Sequence, residues 1–385
     1  MKVAIMMRAM DQDSGYRAII EGLVESLLRV GYNDSFLLLY RQQKWMGRFA
    51  NFKNACEVLA SAPHKLMWDQ VAVPYWAWKE HADVIFNFKF SVPLISHCPV
   101  VMGLHEPAWY VWPEHYDRLN VFYMRTMLPW FIRKSSRLLA ISQFVVEENR
   151  RCLEFPFDNV TVTYPAPAKY FRPVDDVEAL ERFRMEYQLP EKFILSVTRV
   201  DHPGLEGSSS FFPGKNVETT IRAYIQSRQH TPHKLVVVGR RVEEYLLQTG
   251  WSPRDLEGVH FTGFVPHEKM PNLFNLADLF VLPSYYESYA MALVEAMACG
   301  CPVVASTTGA CPEICGGAAL LADPYDPSDF ANKFMAILQN DELKEELRAK
   351  GLERSQFFNW DRTAEATLKA LSEAVRTKTS RSAHV

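Results

Sequence analysis

The feature that most constrains this chain is a rhythm. Short, almost wholly apolar runs recur along it, separated by stretches of helical patterning. In the first half the runs fall at residues 3–7, 36–40, 84–88, 100–104 and 138–141, and a last segment at 159–164 closes the series. A strand that is apolar on both faces of its pleat must be covered on both sides. That is the condition of a mostly parallel sheet with crossover helices above and below it. A second series starts at Phe193, with strands expected at 193–197, 235–238, 260–262, 279–282 and 303–305 and a final one at 319–321. Helices fit at 217–229, 268–275, 289–298 and 327–339. Between the series lie Pro165, Pro167 and Pro173, which put the boundary near 166–175. The expectation is an α/β protein of two doubly wound, Rossmann-like domains, at 1–168 and 169–360, with 361–385 as a C-terminal helix crossing back to the first domain and ending, from 377, in a polar, disordered tail. At 385 residues the chain is long enough for two cores. Ligands of such sheets bind beyond the carboxyl ends of the strands, so the informative loops follow Met7, Tyr40, Phe88 and Leu104.

Composition narrows the class. A net charge of -3 carries no sign of nucleic-acid binding. No run of about 18 apolar residues exists, so no spanning helix is expected. The opening MKVAIMM is too short for a signal peptide and reads as a first buried strand. Seven cysteines include Cys299, Cys301, Cys311 and Cys315, but no matching His pair accompanies them. They read as small buried hydrophobes in a reducing cytoplasm rather than as a zinc site or a disulfide framework.

The densest stretch is 277–306, ADLFVLPSYYESYAMALVEAMACGCPVVAS: strand, polar loop, helix, turn and strand. After Asp278 at its start, two carboxylates interrupt it, Glu287 and Glu295. Glu295 sits among Ala292, Leu293, Val294, Ala296, Met297 and Ala298, in a helix apolar nearly all round. A helix of that kind is buried, and a buried carboxylate needs either a protein donor or a ligand. Glu287 stands three residues after Ser284, which is also capping-box spacing, so a purely structural role is open to it.

Glu287 and Glu295 together form E-x7-E within ESYAMALVEAMACGCPVVAS. This resembles the donor-site signature of the retaining glycosyltransferases of family 4, whose GT-B fold sets two Rossmann-like domains face to face across a cleft. The resemblance implies that Glu287 contacts the donor sugar and that Glu295 holds the ribose hydroxyls, since a carboxylate accepts two hydroxyl hydrogen bonds at once. It implies that the amides of Tyr289, Ala290, Met291 and Ala292 face the diphosphate at a helix N-terminus. The family commonly has Phe-Gly where this chain has Tyr289-Ala290. It further implies a clamp on the diphosphate by Arg199, after the strand at 193–197, and by Lys215-Asn216 at the next helix start. Here an insert within 203–214, rich in Gly, Ser and Pro, separates them more widely than is usual in the family. That insert is expected to form a flexible loop, either closing over the donor or merely tolerated. The segment 261–265 is implied to lie against the nucleobase, with Pro266, His267 and Lys269 near it.

In the first half the resemblance implies that Gly15 lies beside the diphosphate and that His105, followed by Glu106, lies near the reaction centre. His105 is expected to contact the donor sugar rather than to act as a classical general base. Residues 109–137 interleave aromatics with Arg118, Arg125, Arg133, Lys134 and Arg137. They read either as a surface for acidic head groups or a lipid-linked acceptor, or as a core helix with solvated cations, and Pro129 is expected to interrupt a long helix there. The implied activity is transfer of a sugar from a nucleotide diphosphate-sugar, UDP- or GDP-linked, to a carbohydrate or lipid-linked acceptor. No metal is implied, because two cations and a helix end take its place. The implied setting is surface polysaccharide or glycolipid synthesis in the cytoplasm or at the cytoplasmic membrane face. A nucleotide-sugar hydrolase or epimerase, or a binding protein without turnover, remains open, as do the sugar, the base and the oligomeric state.

Overall fold

The structure is a computed structural model that describes residues 1–11, 15–199 and 213–382. It forms two compact units, one of Met1–Ala166 with Asn359–Val385 and one of Pro167–Phe358. In the first, β1 (Lys2–Met6), β2 (Ser35–Tyr40), β3 (Ala55–Leu59), β4 (Val84–Asn87), β5 (Val100–Leu104), β6 (Arg137–Ala140) and β7 (Val160–Val162) form one sheet in the order β3-β2-β1-β4-β5-β6-β7. Every pairing is parallel. The central strands β4 and β5 are buried at each position, as their composition demands. The edge strand β3 carries Glu57, which accepts the Tyr40 hydroxyl at 3.1 Å and the Gly47 and Phe49 amides at 2.5 and 3.3 Å. Its half-exposed, mixed sequence hides it from pattern reading.

The helix Trp360–Ser382 belongs to this first unit. Trp360 fills the space over Gly22, where an added Cβ would lie 2.6 Å from the indole. Arg29 grips Asp361 with both terminal nitrogens, at 2.7 and 2.5 Å, and Thr363 donates to the Tyr164 carbonyl at 2.5 Å. The polar tail expected from 377 is therefore corrected: the helix continues to Ser382, and 383–385 lie outside the described residues.

The helix Arg118–Lys134 runs through Pro129 without ending, which corrects the expected interruption. Proline cannot donate to the carbonyl four residues back. The Tyr110 hydroxyl supplies that bond instead, reaching Arg125 O at 2.9 Å.

In the second unit, β8 (Phe193–Val197), β9 (Lys234–Val238), β10 (Val259–Gly263), β11 (Leu279–Leu282), β12 (Val303–Ser306) and β13 (Leu320–Ala322) form an all-parallel sheet in the order β10-β9-β8-β11-β12-β13. Ile194, Leu235, Val237 and Val281 pack under Ile221, Phe330 and Phe334 from the helices Val217–Ser227 and Pro327–Leu338. Among the helices that patterning did not pick out are Val177–Glu186, Val242–Gln248 and Cys311–Cys315. Each unit is thus a doubly wound α/β sheet that presents loops at its carboxyl edge.

Candidate active site

Among the residues singled out in the second half, the structure pairs Lys215 with Glu287 and His267 with Glu295. Lys215 donates to Glu287 Oε1 at 2.7 Å, and the Ser284 hydroxyl donates to the same oxygen at 2.7 Å. The Glu287 side chain is 12% exposed. No helix begins at Ser284, so the capping-box alternative fails: the serine hydroxyl serves the carboxylate, not a helix end.

Backbone and side-chain staples fix this pair. Tyr285 N donates to Gly214 O at 2.8 Å, tying the loop after β11 to the residue before Lys215. Asn216, buried and in the left-handed region at φ 50°, donates its amide to Pro283 O and Pro324 O at 2.8 and 2.9 Å. Its amide hydrogens are thereby committed to the scaffold. Thr308 Oγ1 donates to Tyr285 O at 2.8 Å, and Ala310 N to Glu287 O at 2.8 Å. Gly309 makes this approach possible. At φ 65° a Cβ there would stand 2.7 Å from Glu287 N.

The helix Met291–Ala298 starts two residues later than its composition suggested. Its N-cap, Ala290, sits in the left-handed region at φ 67°, ψ 59°, and no side chain caps the first turn. That conformation accounts for the glycine expected at this position, because a Cβ costs energy there. Tyr289 and Ala290 precede the helix, and Met291 and Ala292 form its first turn.

Glu295, 6% exposed, has a protein partner: His267 Nε2 donates to its Oε1 at 2.7 Å. His267 Nδ1 lies 2.8 Å from the Tyr170 hydroxyl, and the ring packs on Phe171 at 5.0 Å between centroids. Sequence reasoning placed His267 near the base but not on Glu295, because no spacing rule links positions on two different loops. Arg199 follows β8 and is exposed. The 200–212 part of the insert, with the proposed lid, lies outside the described residues.

In the first unit, His105 follows β5 and is fully buried. Its Nε2 lies 2.6 Å from Phe88 O, and since a carbonyl only accepts, Nε2 carries the proton. Gly103 allows the close packing behind this bond, for a Cβ there would stand 1.9 Å from Phe88 O. The rings of Tyr16, Phe88 and Phe90 surround the imidazole at 5.0, 4.8 and 5.3 Å. Burial lowers its pKa to about 3, with Lys89 adding to the effect. The ring is neutral at pH 7, and Nδ1 is a buried acceptor without a hydrogen-bond partner among the described residues. Asn149 braces the position, donating to His105 O at 2.7 Å.

Beside it Lys89 lies 3.9 Å over the Tyr16 ring. Burial, reinforced by Arg8, lowers its pKa to about 7. Gly15 opens the helix Gly15–Val30, immediately after residues 12–14, which are not described. Asp11-Gln12-Asp13 is an Asp-x-Asp triplet of which only Asp11 is described. Among the described residues no group of three or more His, Cys, Asp or Glu side chains is placed to hold a metal ion.

The two doubly wound, all-parallel units are those of the GT-B fold found in glycosyltransferases. Residues 208–354 match the family described as glycosyl transferases group 1. It is 28% identical over 312 residues to the O-antigen chain mannosyltransferase B of Escherichia coli, covering 77% of this chain and 76% of that one. It is 27% identical over 269 residues to the serotype-specific mannosyltransferase WbdA of the same organism, over 66% of this chain but only 31% of that longer protein. Among solved structures, HepE of Anabaena in complex with UDP and glucose shares the fold at a TM-score of 0.70, with 18% identity over 97% of this chain and all of that one.

Proposed function

We propose that this glycosyltransferase is a retaining, metal-independent hexosyltransferase of family 4 that takes its sugar from a nucleotide diphosphate-sugar and places it on a carbohydrate or lipid-linked acceptor. The names of its relatives favour a mannosyl residue and surface polysaccharide synthesis. The observation that carries the reading is the Lys215–Glu287 pair at 2.7 Å, set beside the uncapped helix start at Met291. Lys215, with Arg199, would meet the diphosphate as its charge grows, and the first-turn amides of Met291 and Ala292 would add to that field. Glu287 restrains the lysine and would itself accept from a donor-sugar hydroxyl. Glu295 would accept both ribose hydroxyls. His105, neutral, would accept a hydroxyl hydrogen bond at Nδ1 and is ill-suited to act as a base. In the proposed step the bond from the anomeric carbon to the phosphate oxygen breaks while the bond to the acceptor oxygen forms on the same face. The acceptor proton passes to the departing phosphate oxygen.

The work would take place at the cytoplasmic membrane face. The helix Arg118–Lys134 buries Met124, Leu128, Phe131 and Ile132, but turns Leu119, Phe122 and Trp130 outward, at 82%, 72% and 58% exposure, beside Arg118 and Arg125. Among the described residues no helix is long and apolar enough to cross a membrane, so contact of this kind would be peripheral.

The test is turnover with GDP-mannose and a panel of UDP-sugars, with and without polysaccharide or lipid-linked acceptors, in the presence of EDTA. The expected outcome is acceptor-dependent release of the nucleoside diphosphate, unaffected by EDTA, with the product anomer matching the donor by NMR. Acceptor-independent release would make the protein a hydrolase. Binding without release would make it a carrier, and inhibition by EDTA would end the metal-independent reading.

A further inference from the structure

The Glu295 carboxylate does not stand alone, and the contact that holds it is one that no spacing in the sequence announces. A carboxylate serves two hydroxyls only if it is aimed, and in a buried place it is costly unless a donor offsets the charge. His267 meets both needs. Its Nε2–H engages Oε1 at 2.7 Å, and among the described residues no donor reaches Oε2, which is left for a ligand. The ring cannot swing freely, because Tyr170 holds Nδ1 at 2.8 Å and Phe171, itself buried, packs against one side. When the imidazole is neutral, the tyrosine donates to Nδ1. When it is protonated, Nδ1–H donates to the tyrosine. In both states Nε2 keeps its proton, and the bond to Glu295 survives. Burial opposes charge on the ring, but the hydrogen bond and charge of Glu295, with Glu268, outweigh it and raise the His267 pKa above 6.5.

We infer that His267 is a positioning residue for nucleotide recognition: clamped by Tyr170, it orients Glu295 and compensates its charge, so that the carboxylate accepts the two ribose hydroxyls of the donor. The inference rests on the ribose role proposed above for Glu295. It assigns His267 to the sugar of the nucleotide rather than to its base, and it makes selectivity for a ribonucleotide a property of a three-residue chain, Tyr170–His267–Glu295.

The test is calorimetric affinity for UDP or GDP, whichever the wild type binds more tightly, and for its 2′,3′-dideoxy analogue. The proteins are wild type, His267→Ala, His267→Gln, Glu295→Ala and the double variant Glu295→Ala/His267→Ala, each checked for a native melting transition. Loss of one charge-assisted hydrogen bond predicts about tenfold weaker ribonucleotide binding by His267→Ala. The same variant should change dideoxynucleotide affinity by less than about twofold. Glutamine retains a donor and should recover most of the loss, and the double variant should bind no more weakly than Glu295→Ala, because His267 acts through that carboxylate. If Glu295→Ala weakens binding but His267→Ala does not, the inference falls and the ribose reading stands. Equal losses for the ribo- and dideoxynucleotide in His267→Ala would move the histidine to the base and also overturn it. If Glu295→Ala leaves the ribonucleotide affinity intact, it is the ribose reading itself that fails.

Discussion

The candidate site of the second unit is built from a few polar atoms held with little freedom. Lys215 is restrained at both ends: its ammonium by Glu287, and its backbone by the Gly214–Tyr285 contact and the Asn216 amide. A cation held in place before the charge develops does not have to reorganise during the reaction, which is where most electrostatic catalysis comes from. Lys215→Ala is therefore expected to lower kcat by about 100-fold while leaving the affinity for the free nucleoside within about twofold, as steady-state kinetics and calorimetry would register. Ala290 makes the opposite kind of case. It holds a left-handed conformation that costs an L-residue roughly 1 kcal/mol. Ala290→Gly should relieve most of that and raise the melting temperature slightly, and an unchanged or lowered value would show that the Cβ earns its place by packing.

At the scale of elements, the loops at the carboxyl edge are joined by side chains rather than by secondary structure. Asn216 bridges the carbonyls of Pro283 and Pro324, which stand on loops after two different strands. Asn216→Ala leaves two carbonyls without that donor and is expected to destabilise the protein by about 2 kcal/mol, measurable as a lower urea midpoint. The helix Arg118–Lys134 has no acidic residue, and its outward face mixes arginine with Leu119, Phe122 and Trp130. Such a face suits an anionic bilayer surface. Sedimentation with vesicles containing an anionic phospholipid should retain the wild type and release Phe122→Ser/Trp130→Ser, while zwitterionic vesicles should retain neither. Equal binding to both vesicle types would remove the electrostatic part of the argument.

For the molecule as a whole, the buried neutral histidine has a consequence for pH. The pKa of His105 falls from 6.5 to about 3 on folding. Between those values the unfolded chain binds a proton that the folded one does not, so the contribution of His105 to stability is complete above pH 6.5 and is lost as the pH falls toward 3. Unfolding midpoints in urea should decline over that window, and His105→Gln should flatten the decline. The same burial keeps the ring neutral near pH 7, which suits Nδ1 to accepting a hydrogen bond rather than to acid or base work.

The order and type of most elements could be read directly from the chain, because a central parallel strand must be apolar on both faces: Leu279–Leu282 and Val100–Leu104 have the bounds that composition predicts. The edge strand Ala55–Leu59 could not, since half its surface is free to be polar. The two carboxylates of 287 and 295 stand out in an apolar segment for the same local reason. What they touch is a different matter. Lys215 lies 72 residues from Glu287 and His267 lies 28 from Glu295. Those distances close only because parallel crossovers carry loops from separate strands to one edge of the sheet. Local sequence determines which residues are buried, and so which strands and helices form. The partner of a buried charge is decided by where the crossovers set the loops down, and that is a property of the tertiary structure alone.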